Sequence, residues 1–317
     1  MSSASQEQSL VLLGRWLRDA GYRFITGTPA THARVNARGD AGQARDLRGV
    51  FGWSRPFDAH LLPEPVLEWL RGADLLSCKG SLLLSKVRFS MLGGQLYAHS
   101  SYPTSEAGAV FFGPDTYRFA ALIDSELQRE PVPGAARILD VGCGAGPGGM
   151  VAALASKRFA PQLVLADLNP HALVYARANA TLAGLGPVTL AHSDLYAQVQ
   201  GEFNLIVANP PYLVDPTERT YRHGGGSLGG GLSERIVVEG LPRLAPGGRL
   251  VLYTGAAMVD GRDLLFDALR PLVESSGCRW RYWELDPDVF GEELEAPAYR
   301  EAERIAAVAL VAQRPLQ

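Results

Sequence analysis

Three short stretches carry residue types better suited to chemistry than to packing. The first, Ile138-Leu-Asp-Val-Gly-Cys-Gly-Ala-Gly146, closes an aliphatic run on Asp140-Val141 and continues with glycines at alternate positions. Glycine lacks the Cβ that would keep a ligand from backbone N–H groups, so this stretch reads as a nucleotide-cofactor loop. Gly144-Ala-Gly-Pro-Gly-Gly149 formally satisfies the dinucleotide pattern G-x-G-x-x-G. In the register where the first glycine directly follows the strand, however, Pro147 takes the third glycine's place, which demotes a nicotinamide cofactor. The second stretch ends on Asp167, 21 residues past Gly146. A carboxylate there suits the two hydroxyls of a ribose; a helix cap is the competing role. Asp194, in Ser193-Asp-Leu195, reads as a contact to an exocyclic amino group or as an ordinary loop aspartate.

The third stretch, Asn209-Pro-Pro-Tyr212, follows the apolar run Phe203–Ala208. Two prolines neither continue a ladder nor enter a helix interior, so they hold a rigid turn. A planar nitrogen, as in an amide or an aromatic amine, has a delocalised lone pair and is a poor nucleophile. The Asn209 side-chain oxygen and the Pro210 carbonyl can each accept one of its N–H bonds, which aims the lone pair at an electrophile. Tyr212 is positioned to stack on the flat group. A simple loop turn is the plainer alternative.

These stretches need a scaffold. Strands are predicted at Arg137–Val141, Gln162–Ala166, Val188–Ala191, Phe203–Ala208 and Arg249–Tyr253, alternating with helices at Gly148–Phe159, Pro170–Ala183, Ser233–Leu244 and Gly261–Ser275. That alternation implies βαβ units and a parallel sheet. Two further strands, Arg279–Leu285 and Ile305–Ala312, are joined without a helical crossover and form an antiparallel pair at one edge. The expected fold is α/β: seven strands, mostly parallel, doubly wound and Rossmann-like, with an antiparallel last strand. Residues 1–110 read as a small α+β module with helices at Gln8–Ala20 and Pro63–Leu70 and strands at Ser81–Phe89 and Gln95–Ser100, in a winged-helix-like order. Residues 111–317, opening with a helix at Tyr117–Glu130, form the cofactor domain.

Composition agrees with two globular domains. The chain has 317 residues, 47% hydrophobic and 20% charged. Cys78, Cys143 and Cys278 are odd in number and widely spaced, which argues against a disulfide framework or zinc ribbon and for a reducing cytoplasm. Six histidines, among them His171, His192 and His223, show no metal-ligand spacing, so no metal is expected. No run approaches the ~18 apolar residues of a membrane span, and the N-terminus has no signal-like pattern. Residues 1–110 carry 12 Lys and Arg against 9 Asp and Glu, a balance of +3; the remainder carries 18 against 24, or −6. The mildly basic front is compatible with a polyanionic partner or with ordinary surface variation. Gly224–Gly231, a run rich in glycine, reads as a mobile lid or a flexible linker.

The chain resembles the HemK-type, "methyltransferase small" branch of class I S-adenosylmethionine (AdoMet) methyltransferases. The resemblance spans roughly Phe112 to Gly255. It rests on Gly113-Pro-Asp-Thr116, Leu139-Asp-Val-Gly-Cys-Gly-Ala-Gly146, the run from Asp167 to Ala180, Asn209-Pro-Pro-Tyr212 and Leu244-Ala-Pro-Gly-Gly248. It implies N-methylation of a glutamine amide in release factors, while related N-P-P-Y enzymes methylate adenine N6 or guanine N2 in RNA or DNA. It implies AdoMet as cofactor, S-adenosylhomocysteine as product, and catalysis by Asn209, Pro210 and Tyr212. Cofactor contacts are implied at Asp140, Gly142, Cys143, Gly144 and Gly146 in the first stretch, and at Thr116. Asp167, Leu168, Asp194, Leu195 and Asn209 complete the implied set. The front module departs from the small helical domain usual in release-factor enzymes, and Phe112-Gly-Pro-Asp-Thr116 replaces the more typical P-R-P-E-T run. Protein, nucleic acid and small metabolite therefore stay open as acceptors, as does an AdoMet-binding interaction module that has lost catalysis. Oligomeric state is not expressed in the sequence.

Overall fold

Leu10, Leu13 and Leu17 lie one and two turns apart on helix α1 (Ser3–Asp19), and all three are fully buried. Helices α2 (Pro29–Asn36), α3 (Leu47–Phe51) and α4 (Glu64–Gly72) follow; Thr28 and Asp46 cap α2 and α3 through their side-chain oxygens. Two antiparallel hairpins come next, β1 (Leu76–Lys79) with β2 (Leu82–Ser85) and β3 (Val87–Leu92) with β4 (Gln95–Ser100). The single strand expected at Ser81–Phe89 is therefore broken in two. The Ser85 hydroxyl donates to the Val87 carbonyl at 2.7 Å, and the chain turns from one sheet to the other. Helix α5 (Pro114–Arg129) leads into the remainder.

The computed structural model describes residues 3–104, 106, 108–215, 222–226 and 228–316. Within it the chain folds into two compact units that do not follow it linearly. One holds Met1–Arg118 with Gly144–Pro147 and Pro170–Pro187; the other holds Phe119–Cys143, Gly148–Asn169 and Val188–Gln317.

The second unit contains the main sheet. Strands β5 (Arg137–Val141), β6 (Gln162–Asp167), β7 (Thr189–His192), β8 (Phe203–Ala208) and β9 (Leu244–Val259) are mutually parallel. The two-residue strand β10 (Arg262–Asp263) folds back on β9, and β11 (Arg279–Asp286) and β12 (Arg304–Gln313) are antiparallel. The order is β11-β12-β9-β8-β5-β6-β7. Helices α6 (Pro147–Ala155), α7 (Pro170–Leu182), α8 (Gly231–Gly240) and α9 (Leu264–Ser275) alternate with the strands, as the βαβ reading requires. β9 is much longer than the Arg249–Tyr253 expected, because β12 pairs with it continuously from Arg249 to Met258. β12 itself is buried from Ile305 to Ala312, as an inner strand with a continuous apolar run should be.

In the first unit, α7 is fixed by Asn179. This fully buried side chain accepts the Ala98 N–H at 2.7 Å and donates to the carbonyls of Ala98 and Ala145.

Candidate active site

Parallel pairing aligns the strand ends. Val141 of β5 is level with Ala166 of β6 and Ala208 of β8, so Gly142, Asp167 and Asn209 are the next residues along three neighbouring strands. Asp167 is in turn level with His192 of β7, which places Asp194 two residues beyond the same row. Residues far apart in sequence thus converge on the carboxyl edge of the sheet, where open α/β sheets bind ligands.

Asp140 lies just below this row and is 2% exposed. Its Oδ2 accepts the Gly149 N–H at 2.7 Å, tying the strand end to the first turn of α6. Burial pushes its carboxyl up to about 7, the Gly149 hydrogen bond opposes this, and Asp167 adds to it. Gly142, Gly144 and Gly146 all have positive φ, between 54° and 82°. Gly142 is exposed and a Cβ built on it meets nothing within 4 Å, so its backbone faces open space. Cys143 is buried, its N–H donates to the Ala166 carbonyl, and burial raises its thiol well above the ordinary value. Thr116 is buried in the first turn of α5, its Oγ1 accepting the Gly113 N–H.

The Asp167 Oδ1 accepts the Asn169 N–H at 2.8 Å, a contact that shapes the turn after β6. Leu168 is 53% exposed, and its carbonyl accepts from His192 Nε2 at 2.8 Å. His192, which carries no motif, therefore positions this turn. Asp194 is held by Arg235 of α8 at 3.3 Å. Beside it, Leu195 is buried at φ 46°, a left-handed conformation that a bulky residue adopts only under constraint.

Asn209 is half-buried and Pro210 is buried. The Tyr212 ring is 7% exposed, lies against Gly255 and meets Tyr253 and Phe290 edge-on at centroid distances of 6.5 and 5.9 Å. As it stands, this ring is an inner wall of the site, packed against Tyr253 and Phe290. The described part of the glycine run is folded onto the turn. Gly224 N–H donates to the Leu213 carbonyl, and Leu232 N–H donates to the Gly224 carbonyl. A Cβ on Gly224 would stand 2.0 Å from the Gly229 carbonyl oxygen and 2.7 Å from that of Pro211. This packing replaces the free lid or linker of the sequence reading; Ser227, within the run, lies outside the described residues. The segment 287–303 also reaches the turn: Tyr299 Oη accepts the Val214 N–H at 2.9 Å, and Arg222 pairs with Glu293. Phe290, Tyr299 and Arg235 carry no local sequence signal, since only the fold brings them to the site.

A positive-φ glycine loop with open backbone, a buried acid beneath it and a second acid on the next strand suit a cationic nucleoside cofactor. Together with the sheet order they define a class I AdoMet-dependent methyltransferase. The family model of the methyltransferase small domain matches residues 120–265. A release factor glutamine methyltransferase of Deinococcus radiodurans is 38% identical over 209 residues, covering 62% of this chain and 69% of the relative. One of Cereibacter sphaeroides is 37% identical over 154 residues, 45% of this chain and 52% of its own length. A ribosomal RNA small subunit methyltransferase C of Chromohalobacter salexigens is 34% identical over 124 residues, 39% of this chain and 33% of its own. The chain belongs to the HemK-like, methyltransferase small family of AdoMet-dependent enzymes.

Proposed function

We propose that this methyltransferase acts on a glutamine amide nitrogen of a protein, with S-adenosylhomocysteine as the second product. The observation that carries the choice is a neutral turn, Asn209-Pro-Pro-Tyr212, joined to an acidic segment. Asp288, Glu292 and Glu295 are exposed on residues 287–303, whose Phe290 touches Tyr212. A neutral carboxamide enters such surroundings freely, whereas a phosphate backbone meets like charge. The release-factor relatives support the same choice.

AdoMet, when bound, supplies a sulfonium-activated methyl group, an electrophile strong enough that no separate base is required. By family resemblance Asp140 would lie near the ammonium end of the cofactor, and the backbone of Gly142, Cys143, Gly144 and Gly146 would line it. Thr116 belongs to the same set by family resemblance. Asp167 would accept from the ribose hydroxyls, with the Leu168 turn beside it. Asp194 and Leu195 would serve the adenine end by the same resemblance. The Asn209 side-chain oxygen and the Pro210 carbonyl accept the two amide N–H bonds and turn the lone pair toward the methyl. Tyr212, wedged between Tyr253 and Phe290, fixes the plane.

The test is incubation with methyl-labelled AdoMet and a cell extract. Label released by protease and not by nuclease is expected; release by nuclease alone refutes the glutamine reading. Asn209→Ala should retain AdoMet binding, weakened by less than about tenfold through loss of its own cofactor contact, and lose at least about a hundredfold in turnover through misplacement of the acceptor. Normal turnover in that variant would sink the mechanism. A nucleic-acid base is the second reading, favoured by the ribosomal RNA relative and the +3 balance of residues 1–110.

A further inference from the structure

Arg88 of β3 is 3% exposed, yet no carboxylate among the described residues pairs with it. The charges that reach it come from the hydroxyls of Tyr22, Tyr117 and Tyr102, and burial pulls its pKa down to about 10. A guanidinium has five N–H groups. Here Nε donates to the Ser100 carbonyl at 3.3 Å and Nη1 donates one N–H to His32 Nδ1 at 3.3 Å, which leaves three, on Nη1 and Nη2. His32 must be the acceptor in that contact, because its Nε2 donates to the Trp53 carbonyl at 2.7 Å. His99, fully buried, donates from Nδ1 to the Ser100 carbonyl and accepts at Nε2 from Ser90. Burial and the neighbouring guanidinium keep both imidazoles neutral at pH 7, His32 down to about 4.

A buried cation with neutral neighbours and unused donors is an expensive arrangement for a folded chain to keep without a counter-charge. We propose that Nη1 and Nη2 of Arg88 form a binding site for a single carboxylate in the first unit. The flat end of the guanidinium presents parallel N–H groups that match the two oxygens of a carboxylate. One negative charge brings the pocket to neutrality; a phosphate dianion would leave an excess that two neutral imidazoles do not offset. Two sources carry this chemistry: the methionine end of AdoMet, and an acidic side chain or C-terminus of a protein acceptor.

The site is tested on the full chain by thermal unfolding in sodium acetate against sodium chloride at equal ionic strength. Acetate should raise the wild-type midpoint above that in chloride, and Arg88→Met should abolish the difference. No acetate effect in the wild type, or one that survives in Arg88→Met, overturns the proposal. If Arg88→Met does not fold, Arg88→Lys keeps the charge but not the planar fork. It should bind acetate about tenfold more weakly, and undiminished binding overturns the site equally. Equilibrium titration with AdoMet and with decarboxylated AdoMet separates the sources. A roughly tenfold loss for AdoMet alone in the variant assigns the carboxylate to the cofactor. Unchanged AdoMet affinity beside a lost acetate response assigns it to the acceptor.

Discussion

Asp140 combines two properties that a surface acid does not have: it is sealed beneath the cofactor loop and it holds the first turn of α6 through the Gly149 N–H. Its folded-state pKa, about 7, lies above the ordinary value of 3.8. The folded chain therefore holds a proton that the unfolded chain releases, and this term stabilises fully below about pH 4 and is lost as pH rises through about 7. The stability of the wild type relative to Asp140→Asn should accordingly fall between pH 5 and pH 8 in urea denaturation; a pH-independent difference would show that the carboxyl is already ionised. Asp140, Gly142, Gly144 and Gly146 were legible in the sequence because strand, turn and helix follow one another directly there. The packing of Tyr212 was not: the tetrapeptide marks a turn, but Tyr253, Gly255 and Phe290, which enclose the ring, come from distant strands and loops.

At the scale of elements, two tertiary contacts set the geometry of the loops. Asn179 lies in a run that resemblance assigns to the family, and its buried amide joins α7 to β4 and to the Ala145 carbonyl. Asn179→Ala leaves an N–H and two carbonyls without that partner and should cost about 2–4 kcal/mol in urea denaturation. The glycine run supports the Asn209-Pro-Pro-Tyr212 turn in the same way. Gly224→Ala forces a Cβ onto the carbonyls of Gly229 and Pro211, and should lower kcat at least about tenfold with AdoMet affinity unchanged. Gly225→Ala, at φ 71° with nothing within 4 Å, should cost only about 1 kcal/mol and leave kcat near wild type. Equal kinetic effects at both positions would mean that the run acts as a loose linker after all. Composition alone suggested such a linker, because a glycine count does not distinguish freedom from close packing.

For the whole molecule, charge and chain path matter more than any single contact. An acceptor recognised beside the acidic segment 287–303 should bind with weak salt dependence, changing less than about tenfold between 50 and 200 mM salt. A nucleic acid engaged through six to ten phosphates would lose about 10³–10⁵ over that range. Equilibrium binding of acceptor at both salts decides between them. The amino-acid sequence by itself determined the parallel sheet, the glycine-rich loop after β5 and the Asn209-Pro-Pro-Tyr212 turn, because each is written in a contiguous stretch whose periodicity or glycine and proline content limits its backbone. It also carried the antiparallel pair at the end, since only short 3-10 turns and no α-helical crossover separate β11 from β12. Only the tertiary structure decided that residues 144–147 and 170–187 pack with the front unit and that His192 and Arg235 brace the acidic turns. It alone left Arg88 buried without a counter-charge among the described residues. Those outcomes depend on which distant side chains share an enclosed space, and burial, which sets the cost of each polar group, is a property of the folded chain alone.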